Sequence, residues 1–146
     1  MTRIAIDPGK SGAVAYGNGG TPMFRGCPDT VQEMAVIISD IIKGCEPPHI
    51  AIIEQVHSMP RDGVKSAFAF GKNFGEWLGI LAANNIPTVE VLPNKWMKLL
   101  GSLPKEKNER KTKIKEIAQM RTGTAVPKYA ADAVAMYLVA NKITEE

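Results

Sequence analysis

Three carboxylates sit inside stretches that otherwise read as protein interior. Asp7 ends the run Arg3-Ile-Ala-Ile-Asp7 and is followed at once by a Pro-Gly turn and a second apolar run, Ala13-Val-Ala-Tyr16. Glu54 ends Ile50-Ala-Ile-Ile-Glu54 in the same way. Asp132 is the single charge in Tyr129-Ala-Ala-Asp-Ala-Val-Ala-Met-Tyr137, which reads as a buried helix. A carboxylate buried with its segment is costly unless it meets a cation or a hydrogen-bond donor. Three of them, each at the edge of core sequence, point to a shared metal site.

The chain around these acids is long enough, at 146 residues, for one domain with a real core, and residues 1–146 read as that domain. An apolar fraction of 45% and a charged fraction of 23% exclude the disordered and fibrous classes. No apolar run reaches the roughly 20 residues of a membrane span. The sequence enters a strand directly, so no leader is expected and a cytoplasmic location follows. Cys27 and Cys45 match no metal-ligand spacing and read as two reduced thiols.

Turn and cap signals divide the chain without internal repeats or linkers. Residues 3–7, 11–17 and 21–25 read as strands, the last two joined by Gly17-Asn-Gly-Gly20. Thr30-Val-Gln-Glu33 has the form of a capping box and opens a helix to about Lys43. Residues 49–54 are nearly all apolar, as in a central parallel strand. A loop over 57–63, a long helix over 64–84, a strand over 87–92 and a short helix over 93–100 follow. A basic helix to about Met120 and a last helix over 128–142 complete the chain. Three strands followed by alternating helices and strands give a mixed α/β sheet covered by helices.

Two features admit two readings each. The long helix carries Gly71, Gly75 and Gly79 on one face. Each glycine weakens a helix by about 1 kcal/mol relative to alanine, so a close backbone approach is expected there: tight packing on the sheet, or a two-fold subunit contact. The segment Lys105–Lys115 carries a local charge of +4 on a chain whose net charge is +3. It is either a phosphate-backbone contact or a solvated helix face.

Ordered along the chain, Ile-Asp-Pro-Gly at 6–9, Ile-Glu-Gln-Val at 53–56, Gly-Lys-Asn-Phe-Gly-Glu-Trp-Leu-Gly at 71–79 and Ala-Ala-Asp-Ala at 130–133 resemble the RuvC-type Holliday junction resolvases, most of all their phage-encoded branch. The resemblance runs from about residue 3 to 139. It implies a ribonuclease-H-like, mixed five-stranded sheet with helices on both faces. It also implies a homodimer that binds four-way and other branched DNA and nicks opposed strands by two-metal hydrolysis, in the cytoplasm of the host cell. Hard oxygen ligands suit Mg²⁺, with Mn²⁺ able to substitute. By position Asp7 would bridge both ions, and Glu54 and Asp132 would each hold one. Lys111 would act electrostatically at the scissile phosphate, with Lys95 and Lys98 near it.

One departure stands out. The family usually places a further acid or a histidine three residues before its last aspartate, and this chain has Lys128-Tyr129 there. Either one ion is held less tightly, or Lys128 offsets phosphate charge instead. His57 falls where relatives carry a base-stacking aromatic, and an ordinary loop histidine is the plainer reading. Arg61, Lys65 and Lys72 read equally as phosphate contacts or solvated surface, and Lys105, Lys107 and Arg110 as backbone contacts. Trp77 and Trp96 read as core. Against the nuclease stand a catalytically weak junction-binding relative and an actin-like phosphotransferase. The second needs a much longer, two-lobed chain.

Overall fold

The chain was analysed as a computed structural model that describes residues 1–55 and 63–145. His57 and Arg61 lie outside the described residues. Five strands form one sheet: β1 (Thr2–Asp7), β2 (Ala13–Gly17), β3 (Met23–Gly26), β4 (His49–Glu54) and β5 (Thr88–Val91). Their spatial order is β3-β2-β1-β4-β5, with β1–β2 and β2–β3 antiparallel and β1–β4 and β4–β5 parallel. The expected mixed five-stranded sheet is therefore present, and β1 is its centre.

Strand alternation sorts the core into two layers. Ile4, Ile6 and Ile53 point to one face. There they meet Met34, Ile38 and Ile41 of α1 (Val31–Gly44) and Trp77 and Leu81 of α2 (Val64–Ala83). Ala5 and Ile52 point to the other face, against Trp96 of α3 (Pro93–Lys98), Ile114 and Ala118 of α4 (Lys107–Thr122) and Val134 of α5 (Ala131–Leu138). Both tryptophans are fully buried, as their sequence setting predicts.

Local signals mostly act where expected. Thr30 Oγ accepts from the Glu33 N–H at 3.2 Å and donates to the Glu33 carboxylate at 2.9 Å, which starts α1. Gly123, in the left-handed region at φ 70°, ends α4. The predicted helix over 128–142 is not continuous. It begins as a 3₁₀ turn at Lys128–Ala130, and α5 stops at Leu138. Val139 tightens into a bond from its N–H to the Met136 carbonyl before α6 (Ala140–Thr144).

Packing on the sheet does not explain the glycine stripe of α2. A Cβ built on Gly71, Gly75 or Gly79 meets nothing within 4 Å. The three glycines lie on an exposed face together with Phe68, which is 72% exposed, and Val64, which is 89% exposed. The close approach expected from the spacing is thus not made within the described residues.

Candidate active site

Strand register sets two of the acids side by side. In the parallel pairing of β1 with β4, Ile6 is opposite Ile53, and each is followed by an acid, Asp7 and Glu54. Neighbouring strands lie about 4.8 Å apart. Asp7 has the parity of Ala5, and Glu54 that of Ile52, so both project to the face covered by α3, α4 and α5. Asp132 sits in the first turn of α5 on that same face, where the helix dipole favours a carboxylate.

The electrostatics show how close this grouping is. Asp7 is pushed up to about 8, first by burial, then by the charges of Glu54 and Asp132, against a lowering by Lys111. Glu54 is raised by burial and by Asp132, and drawn down by the Trp96 N–H, which donates to its Oε2 at 2.7 Å. Asp132 is raised by burial and lowered by Lys111 and Arg110. Each acid is therefore held back from ionising by its burial, and Asp7 and Glu54 also by neighbouring acid. Excess negative charge in a half-buried, all-oxygen donor set is what a hard divalent cation relieves, so these residues fit Mg²⁺ or Mn²⁺. Among the described residues no three acid, histidine or cysteine side chains are drawn tightly enough together to enclose an ion as they stand.

The turn after β1 is built closely around Asp7. Gly9 takes φ 109°, and its N–H donates to Asn73 Oδ1 of α2 at 3.0 Å. A Cβ on Gly12 would fall 1.8 Å from the Asp7 carbonyl oxygen, so only glycine fits there. The Cys27 thiol donates to the same oxygen at 3.3 Å, and burial pushes that thiol up to about 12. Both cysteines are unpaired, as expected.

Asp7 and Asp132 open into a wide cleft of about 1290 Å³. Its walls are the β1–β2 turn, the segment leading into α1, one face of α2 (Ser66, Ala69, Phe70, Asn73, Glu76), Lys111 of α4, and Lys128, Tyr129 and Ala131. Glu54 is not among the residues lining it, although its charge acts on Asp7. The register decides between these two observations: Glu54 follows Ile53 on the strand next to Asp7, and the chain just beyond it falls outside the described residues.

The basic residues separate into groups. Lys72, Lys111 and Lys128 line the acidic cleft. Lys98, Lys105 and Arg110 line a second, smaller groove between α3 and the start of α4. Arg110 donates to the Lys105 carbonyl at 2.8 Å, and its charge also lowers Asp132, so it belongs partly to the acid site and not only to the basic face. Lys65, Lys95 and Lys107 are exposed and outside both linings. Sequence reading missed Phe70, Asn73 and Glu76, whose helical spacing of three was the available signal. It also missed the bond from Trp96 to Glu54, which no local pattern announces.

A three-stranded antiparallel edge continued by two parallel strands, with helices packed on the sheet, is the ribonuclease-H-like fold. Within that class the structure is similar to T. thermophilus RuvC in complex with Holliday junction substrate. The TM-score is 0.69 at 15% identity, covering 99% of this chain and 95% of that one. It is also similar to a second structure of Thermus thermophilus RuvC, with a TM-score of 0.63 at 15% identity over 99% and 98% of the two chains. The chain has the RuvC fold along nearly its whole length. No protein-family model and no curated protein sequence matches it.

Proposed function

We propose that the chain is a structure-selective DNA endonuclease that resolves four-way and other branched junctions by metal-dependent phosphodiester hydrolysis. The observation that carries this is the convergence of Asp7, Glu54 and Asp132 from three elements onto one face, with Lys111 acting on two of them. Asp7, whose pKa both other acids raise, would be the ligand shared between two ions. Such ions, when bound, polarise the phosphoryl group and lower the pKa of the attacking water. The chain's own residues do the rest. The three acids would hold the ions at the sheet's end. Trp96 orients Glu54 and favours its ionised form against the burial that opposes it. Lys111 balances charge beside the phosphate. Residues 1–146 act in this reading as a single nuclease domain, working as a homodimer, because two opposed nicks require two sites related by a two-fold axis. The exposed stripe of Gly71, Gly75 and Gly79 supports α2 as part of the subunit contact.

A second reading, a junction-binding protein with weak or no catalysis, is favoured by Tyr129 standing where an acid is expected. Incubation of a synthetic four-way junction and a linear duplex with Mg²⁺, Mn²⁺ or chelator separates the two. The nuclease reading expects metal-dependent cutting of the junction, leaving 5′-phosphate and 3′-hydroxyl ends. Tight junction binding with no cutting at any metal concentration selects the second.

A further inference from the structure

α2 shows three different faces. Phe74, Trp77, Leu78 and Leu81 pack on the sheet. Val64, Phe68 and the glycines face outward. A third face, holding Phe70, is part of the acidic cleft. Phe70 is 46% exposed there. Its ring edge lies 3.9 Å from the position of a Cβ on Gly9, so it stands over the turn that carries Asp7. Tyr129 belongs to the lining of the same cleft and is also 46% exposed. It is braced from behind: its ring meets Phe24 edge to face at 6.4 Å and 69°, and lies 3.5 Å from the position of a Cβ on Gly26. Two half-exposed rings thus belong to the walls that also carry Asp7 and Asp132, together with Lys72 and Lys128.

An aromatic ring at the wall of a cleft that also carries Lys10, Lys72, Lys111 and Lys128 offers its face to another planar group. In a duplex the base faces are already covered by stacking. They become available only where nucleotides are unpaired. We infer that Phe70 and Tyr129 are base-stacking platforms that receive unpaired nucleotides beside the scissile phosphate, so that the cleft selects branch points able to open locally. This rests on the nuclease reading above and adds a specificity device to it. It also gives Tyr129 a role at a position where a metal ligand is missing.

The test uses the full-length Asp7→Asn protein and a four-way junction carrying 5-iododeoxyuridine at the nucleotides next to the branch point, irradiated at long wavelength. This base cross-links efficiently to an aromatic ring stacked on it. Cross-links are expected at Phe70 and Tyr129, each lost in Phe70→Leu or Tyr129→Leu. In the otherwise wild-type protein, each leucine variant should lose about 5- to 150-fold in kcat/KM on a fully paired junction, the size of one base–aromatic stack. The loss should shrink on a junction mismatched at the branch point, where opening is already done. Cross-links mapping elsewhere, or equal losses on paired and mismatched junctions, would overturn the inference while leaving the nuclease reading intact. A change of oligomeric mass in Phe70→Leu would assign that ring to a second copy of the chain instead. A wild-type protein that neither binds nor cuts branched DNA would sink both.

Discussion

Trp96 donates its indole N–H to Glu54 across 2.7 Å, joining a fully buried core residue of α3 to a carboxylate at the end of β4. The bond makes the core itself part of the acid site. Trp96→Phe keeps most of the ring and deletes the donor. It should lower stability by about 1.5–3 kcal/mol, the range for losing a hydrogen bond to a charged group. It should also raise the Glu54 pKa further, so that cutting needs more Mg²⁺. Thermal unfolding and a Mg²⁺ titration of cleavage read the two effects. An unchanged metal requirement would show that Glu54 does not depend on Trp96.

Burial and the neighbouring acids push Asp7 far above the ordinary carboxylate range, up to about 8, and a pH dependence is expected from it. Between about pH 4 and 8 the folded protein keeps a proton on Asp7 that the unfolded chain has lost. The folded state binds more protons, so the stability of the metal-free protein should fall as pH rises through this window. Asp7→Asn removes the titrating group and should flatten that slope, raise metal-free stability at pH 8 and abolish cutting while preserving junction binding. Adding Mg²⁺ should stabilise the wild type at pH 8 and leave Asp7→Asn almost unaffected. Denaturant titrations at pH 5 and 8 decide it. Cutting by Asp7→Asn at the wild-type rate in saturating Mg²⁺ would remove Asp7 from the site.

The outward stripe of α2 makes opposite predictions for monomer and dimer. Among the described residues nothing fills the space above Gly75, so Gly75→Leu should raise intrinsic helix stability by up to about 1 kcal/mol. If a second α2 packs there, the same change should break the dimer. Analytical ultracentrifugation at micromolar concentration is expected to show a wild-type dimer and a Gly75→Leu monomer. A monomeric wild type, with and without junction, would refute the dimer; a dimeric variant would only move the interface off this helix.

The basic residues should divide by function. Lys105 and Lys107 are exposed at the start of α4, away from the acids. Replacing both by alanine should weaken binding to all sequences alike and flatten the plot of log affinity against log salt by up to about 1.8. Lys111 acts on Asp7 and Asp132, so Lys111→Ala should slow cleavage of bound junction more than it weakens binding. Equal losses in both for Lys111→Ala, or an unchanged slope for the double variant, would make α4 a solvated face.

The parts of the site carried by strand pattern were legible in the sequence. Apolar runs capped by Asp7 and Glu54 fix both the central strands and the acids at their ends, because burial and period-two alternation leave one arrangement. Asp132 was legible for the same reason on a helix. Features that depend on which helix face meets which neighbour were not. The glycine spacing of α2 shows a shared face but not that the face is left open. Arg110 reads as one more charge in a basic run, and only the packing of α4 brings its charge to bear on Asp132. The break at Val139 has no local signal, since the sequence around it is as helix-compatible as that before it.

The pairing of Ile6 with Ile53 has a consequence for how this chain can vary over time. Loops can lengthen or shorten freely, but one residue gained or lost in β1 or β4 would turn an acid to the opposite layer and the apolar residues with it. The acid cluster and the core then fail together, so such length changes are purged as folding defects. Single replacements at Asp7, Glu54 or Asp132 escape that filter. Descendants that lose the acid cluster should therefore keep the scaffold and carry point substitutions at these three positions, within strands of unaltered length.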